Sequence, residues 1–202
     1  YRKRLMKTFV TSDQHFGHGN IIKHCERPFE NKYEMDKVLI ENWNSVVGPH
    51  DRVIVVGDFA WKRPEEYLQA LNGSKILIRG NHDYRGQVKG YEFIKDLWDT
   101  KIEGQRAVFC HYQLSEWNAS YHGSWHLYGH SHGNAFEHQH KLSFDVCVDL
   151  WDYKPVEWSQ VVKKMEAKEK MKKEYYEISA SIVRDPHANR KVIAAINKEY
   201  WR

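Results

Sequence analysis

The chain has 202 residues, a formal net charge of +4, 41% hydrophobic and 14% aromatic residues. That is enough for one domain with a real core, and it is too apolar for an intrinsically disordered segment. No run reaches the roughly 20 apolar residues a membrane helix needs, so no membrane partner is expected.

The chain opens YRKRLMKTFV, basic residues with no apolar stretch behind them. No secretory leader is expected, and Met6 is a natural start, with residues 1–5 as an extension. Residues 7–12 form a short alternating run that predicts a strand, followed by the turn-rich DQHFGHGN. Met35, Val38, Leu39, Trp43 and Val46 recur at helical spacing and predict a helix over 32–47. RVIVV (52–56) predicts a strand that ends in Gly-Asp, and Pro64 suits the first turn of a helix over 64–72. Further strands are expected over 75–79, 105–110, 124–128 and 143–149, and a helical pattern begins at Val156. Strands alternate with helices in the first half and cluster in the second. The expected fold is α/β, a four-layer-type sandwich with central mixed β-sheets flanked by helices.

Charge is uneven along this plan. From Lys163 onward there are eleven Lys/Arg against six Asp/Glu, which leaves −1 for the first 162 residues. The chain therefore divides into a 1–162 domain and an appended basic helical tail, 163–202, that is not a separate domain. Cys25, Cys110 and Cys147 are odd in number and form no C-x-x-C, which suits a reducing, cytoplasmic setting. Cys110 is expected in the core.

Thirteen histidines are the compositional anomaly. Five apolar runs end in Asp, Asn or His: Asp13/His15, Asp58, Asn81/His82/Asp83, His111 and His130/His132. Ligands of α/β sheets gather beyond the carboxyl ends of strands, so five strand ends can supply one metal site. In D-x-H and H-x-H both side chains face the same way if the backbone stays extended. Taken singly, each residue has a plainer reading. Asp58, Asn81 and Asp83 could cap turns, His111 could be a core histidine, and His130/His132 a surface pair. The conjunction favours the metal site. His24, His50, His122, His126, His138, His140 and His187 do not share in it and are expected to be structural or exposed.

DQH (13–15), GD (57–58), GNHD (80–83), His111 and GHSH (129–132), in this order, resemble the signature of the calcineurin-like metallophosphoesterases. The resemblance covers roughly residues 6–160. FGHGNII, GDFAW, RGNHD and CHYQLSEW look like the small bacterial and phage-type branch. It implies that Asp13, His15, Asp58 and His132 hold a first metal, and Asp58, Asn81, His111 and His130 a second, with Asp58 bridging. It also implies His82 as general acid and Asp83 as the residue that hydrogen-bonds and orients it. The implied activity is hydrolysis of a phosphate ester by a metal-bridging hydroxide, with two divalent ions, manganese first and iron or zinc as alternatives.

No arginine lies inside a core motif as a monoester clamp, since Arg79 precedes Gly80 on a strand. That leans toward a diester over a monoester, and the basic tail leans toward polyanionic substrates. The expected substrate is a phosphodiester of nucleotide type, with a phosphomonoesterase or a nuclease on the same site as the alternative and a scaffold without catalysis as the reading from another class. Tyr112, Trp117, Tyr121 and Trp125 lie between His111 and His130, and Trp117 is expected to line the substrate cleft; His18 is a second candidate substrate contact. In the tail, Val161, Met165, Tyr175, Ile178 and Ile182 suggest an apolar stripe interrupted by Lys168 and Lys172. Packing on the domain, a homodimer contact, and a nucleic-acid clamp using Tyr175, Tyr176 and Trp201 all fit it.

Overall fold

The computed structural model describes residues 5–136 and 141–184. His138, His140, His187, Trp201 and the side chains of Ile178 and Ile182 lie outside the described part.

Two mixed sheets form the centre. β1 (Thr8–Thr11), β2 (Arg52–Val55), β3 (Ser74–Ile78) and β4 (Tyr91–Lys95) run parallel, with β9 (Val156–Glu157) antiparallel beside β1. Their order is β4-β3-β2-β1-β9. The second sheet, β5-β6-β7-β8, comprises Leu97–Ile102, Gln105–Cys110, Trp125–Tyr128 and Ser143–Asp145. Here β5 is antiparallel to β6, and the rest pair in parallel. Four α-helices complete the described chain: α1 (Asn20–His24), α2 (Lys32–Val46), α3 (Pro64–Ala70) and α4 (Trp158–Arg184). The expected α/β sandwich is therefore what the chain forms. No helix among the described residues is long and apolar enough to cross a membrane.

The unbroken apolar runs follow from burial on both faces. Ile54, Val56, Ile76 and Ile78 point between the sheets, where they meet Phe109, Leu127 and Phe144. Val53, Val55 and Leu77 point the other way, toward Met35, Leu39 and Trp43 of α2 and Leu68 of α3. Asn31 starts α2 by accepting the Tyr33 and Glu34 amides at 3.0 and 3.1 Å. Cys110 is buried, as expected.

Several elements differ from expectation, among them Val156–Glu157, a strand where the helical pattern was expected to begin; the helix starts at Trp158. β4 and β5 were not foreseen because they are edge strands, half-exposed and rich in charge, and lack a continuous apolar run. The strand expected over 143–149 stops at Asp145, and a 3-10 turn, Val148–Leu150, replaces its end. α4 is continuous across 162/163. Val161 and Met165 sit in the core between the sheets, and Lys168 is buried on the same helix rather than breaking its stripe at the surface.

One buried cation ties a helix end to this frame. Lys75 Nζ donates to the Leu68 and Leu71 carbonyls at 3.0 and 2.5 Å, at the C-terminal end of α3. Lys75→Met keeps the apolar stem and removes that donor from both carbonyls. It is expected to cost about 1–3 kcal/mol in urea unfolding.

Candidate metal centre

The strand ends converge because the sheets are stitched there. Ser12 donates its amide to Val146 O at 3.1 Å, and Val148 returns one to Ser12 O at 3.1 Å. Beyond β1 the chain pairs with the segment after β2: Asp13 N to Gly57 O at 3.0 Å, His15 N to Asp58 O at 3.0 Å, Phe16 N to Phe59 O at 2.9 Å.

An extended backbone does not bring the histidine pairs together, contrary to the expectation for D-x-H and H-x-H. Asp13, His15, Asp58, His130 and His132 all have left-handed backbones, with φ of 60°, 54°, 53°, 71° and 47°. Such conformations cost of order 1–3 kcal/mol each in non-glycine residues and persist at sites the surroundings over-determine. Here they turn consecutive loop residues inward. Two glycines make room for them. A Cβ at Gly80 would run into the Asp58 carboxylate, and one at Gly129 into the Asp13 carboxylate and Ser12.

Two clusters result, each with ligand-type atoms within 4.8 Å of one another: Asp13, His15 and His132, and Asp58, His111 and His130. Asp58 lies between them, its Oδ2 3.5 Å from His15 Nε2 and 3.4 Å from His111 Nε2. Its other oxygen accepts the His82 amide at 2.9 Å. Asn81 Oδ1 is 3.2 Å from His111 Nε2. The His15 Nε2 atom is buried without a hydrogen-bond partner. A buried ring nitrogen facing two carboxylates, with no donor or acceptor of its own, fits a cation-binding role. So does His111, whose Nδ1 lies 2.8 Å from the Val56 carbonyl; with the proton there, Nε2 presents its lone pair to the cluster. Imidazole and carboxylate donors together, without thiolate, suit divalent first-row cations.

Electrostatics separate the groups. Burial pushes the Asp13 carboxyl up to about 6 and the His15 imidazole down to about 2. Burial would also raise Asp58, but its hydrogen bond and charge interaction with His111 outweigh this and hold it at about 2. Burial opposes the His111 charge, yet Asp58 and Asp13 raise that imidazole to about 9. Without metal at pH 7, His111 therefore carries a proton that a cation must displace. Binding there is expected to release about one proton at pH 7. The affinity should rise up to tenfold per pH unit until about pH 9, and stop rising above it. Calorimetric titration with manganese in two buffers of different ionisation enthalpy measures that release.

A second layer of residues was not foreseen. His132 Nδ1 is 2.7 Å from Asp149 Oδ2. Arg27 Nε and Nη2 in turn donate to the two Asp149 oxygens at 2.7 and 2.8 Å. Arg27 also donates to the Asp13 carbonyl at 2.7 Å and the Gln14 carbonyl at 3.0 Å, and is 4% exposed. A carboxylate that orients a histidine ligand is a recurrent need of metal sites. Nothing in the local sequence marks a partner 122 residues away. Cys25, His132 and Asp149 also lie close together, as do Asp13, Asp145 and Cys147. However, Asp149 is committed to Arg27, and burial lifts the Cys147 thiol well above its ordinary range.

Two roles are corrected. Asp83 is not bonded to the His82 ring. Its oxygens accept the Asp58, Phe59 and Gly80 amides at 2.8, 2.9 and 2.8 Å, so it fixes the loop that carries Asp58. Trp117 does not line the cleft. It is buried beside His126, with its N–H on the Ser124 carbonyl at 3.1 Å, because the loop after β6 folds back over its own sheet. The ring that packs on the cluster is Tyr112, 5.2 Å from His111 and 4.9 Å from His130. His18 does reach the cluster, 3.1 Å from His15 between Nδ1 atoms. His24, His50 and His122 are exposed and His126 is a buried structural histidine, as expected. His82 is exposed, its ring 5.3 Å from that of His15.

Fold and site together define a two-sheet α/β sandwich with an Asp/His metal-type centre at the carboxyl ends of its parallel strands. The chain belongs to the same family as the uncharacterized protein MJ1445 of Methanocaldococcus jannaschii, to which it is 37% identical over 172 residues, 80% of this chain and 93% of that one. Among solved structures, a protein of unknown function from Aquifex aeolicus, AQ665, shares the fold, with a TM-score of 0.65 and 24% identity over 79% of this chain and 99% of that one. The phosphoesterase YfcE of E. coli aligns more loosely, with a TM-score of 0.38 and 18% identity over 70% of this chain and 78% of that one. No protein-family model matches the chain.

Proposed function

We propose that the protein is a metal-dependent phosphoesterase of the calcineurin-like kind, small bacterial and phage-type branch, acting on a phosphodiester of nucleotide type. The observation that carries this reading is the single Asp58 carboxylate within 3.5 Å of imidazoles from both ligand clusters. Two cations need a shared anion, and the five-motif order supplies the rest of the set.

Asp13, His15, Asp58 and His132 would hold one divalent ion; Asp58, Asn81, His111 and His130 would hold the other; manganese is the first choice. When bound, such a pair activates water as a nucleophile and offsets charge on the phosphoryl oxygens. The chain's own residues do the remainder. Asp83 and the Asp58 loop keep the bridging carboxylate in place. His82, exposed beside the cluster, gives its proton to the leaving oxygen, a contribution of about 10²–10⁴-fold.

Preference for diesters rests on the arginines. A monoester dianion calls for a free guanidinium, and Arg27 beside the cluster has its guanidinium engaged with Asp149 and two carbonyls. Arg79 faces Asp96 and the Gly86 carbonyl, at 3.5 Å each. Hydrolysis of bis(p-nitrophenyl) phosphate and p-nitrophenyl phosphate by metal-stripped protein, with and without manganese, tests the reading. Manganese-dependent turnover that favours the diester is expected, and His82→Ala should lower it 10²-fold or more. Monoester preference would replace the diester reading with a phosphomonoesterase.

A further inference from the structure

We infer that Trp61 and His18 form an aromatic wall that receives a nucleobase on the leaving-group side of the substrate. The inference rests on the phosphodiesterase reading and names the substrate class within it. Trp61 and His18 stack face to face, with ring centroids 4.4 Å apart and an interplanar angle of 14°. Both are carried by the loops that bear the cluster. Trp61 donates its amide to the Phe16 carbonyl at 2.9 Å, and His18 donates to the His15 carbonyl at 3.0 Å.

The pair is placed at His82 rather than elsewhere on the rim. The Trp61 ring is 5.5 Å and the His18 ring 5.6 Å from the His82 ring. His82 in turn is 5.3 Å from His15. A group bonded to the oxygen that His82 protonates therefore leaves toward these two rings. Trp61 is 46% exposed, although its indole would gain from burial. Among the described residues, its ring contacts are the two histidines. An indole held flat by a partner on one side, with area left open beside a reaction centre, is suited to stack a planar base. Every base has a π-face, so such a platform tolerates any base and rejects a bare sugar or alkyl group. Tyr112 lies at the other cluster, against His111 and His130, so the base is received on one side of the site.

The test pairs hydrolysis with binding. The substrates are a dinucleoside monophosphate and its analogue in which the leaving nucleoside is replaced by 1-O-methylribose. The manganese-loaded protein is expected to favour the base-bearing diester by about 5- to 100-fold in kcat/KM, the range of one base–aromatic stack. Trp61→Ala should bring that ratio to near one, and Trp61→Phe should restore most of it. Calorimetric binding of adenosine monophosphate against ribose 5-phosphate should show the same loss in Trp61→Ala. Equal losses on both diesters, or no preference in the unaltered protein, would overturn the inference while leaving the phosphodiesterase intact. Trp61-dependent nucleotide binding without turnover of any diester would do the reverse.

Discussion

Replacing Arg27 with methionine is expected to damage the protein twice. The guanidinium is buried and makes five hydrogen bonds, two to Asp149, one each to the Asp13 and Gln14 carbonyls, and one to the Met35 sulfur at 3.5 Å. Its partner Asp149 is held well below the usual carboxylate range, with burial opposed by His132 and Arg27. Removing one member of a buried pair leaves an uncompensated charge and costs about 3–5 kcal/mol. For a chain of this size that is roughly 6–20 °C in Tm. The second effect falls on the metal. Asp149 orients His132, so loosening it should weaken binding at the Asp13/His15/His132 cluster about 10- to 100-fold. Arg27→Lys should rescue neither, because an ammonium cannot span Asp149 and two carbonyls in the same fork. Thermal unfolding of the metal-free protein and a manganese titration read the two effects separately.

The second large effect is expected at Asp58. Asp58→Asn preserves shape and keeps one oxygen for the His82 amide, but removes the anion shared by both clusters. Turnover should fall by about 10³-fold or more, since positioning and charge stabilisation are lost together. Unlike the Arg27 variant, it should remain well folded. Its diagnostic is stoichiometry: on the proposed two-cation reading Asp58 would be shared, so both ions should bind weakly rather than one. His111 reports the same change. Its imidazole owes its elevation first to Asp58, so in Asp58→Asn its titration should move down from about 9 toward the ordinary histidine range, as measured by NMR.

These expectations show which parts of the protein were legible in its sequence. RVIVV and KILIR announced central strands because burial on both faces leaves their inner residues, Val53–Val56 and Ile76–Ile78, all apolar. The clustered Asp and His residues are legible because each closely follows a strand, so the fold itself carries them to one end of the sheets. What failed was whatever depends on distant partners. Arg27 and Asp149 meet only in the folded chain. Asp83 carries the motif position expected to serve His82, yet it is captured by three amides of neighbouring turns. Trp117 lies between His111 and His130 in sequence, but it packs on His126 of β7 with its N–H on the Ser124 carbonyl. The left-handed backbones at five ligand positions gave no signal, since no glycine stands there. Trp61 gives no signal within GDFAW because its neighbour His18 is contributed by another loop.

The most direct test of the proposed two-cation centre is a titration of metal-stripped protein with manganese, in which diester turnover is followed against the equivalents bound. Two equivalents should bind, and turnover should climb mainly with the second, because only then is Asp58 shared. Full turnover at one equivalent, or turnover undiminished by stripping, would contradict a centre built on that carboxylate.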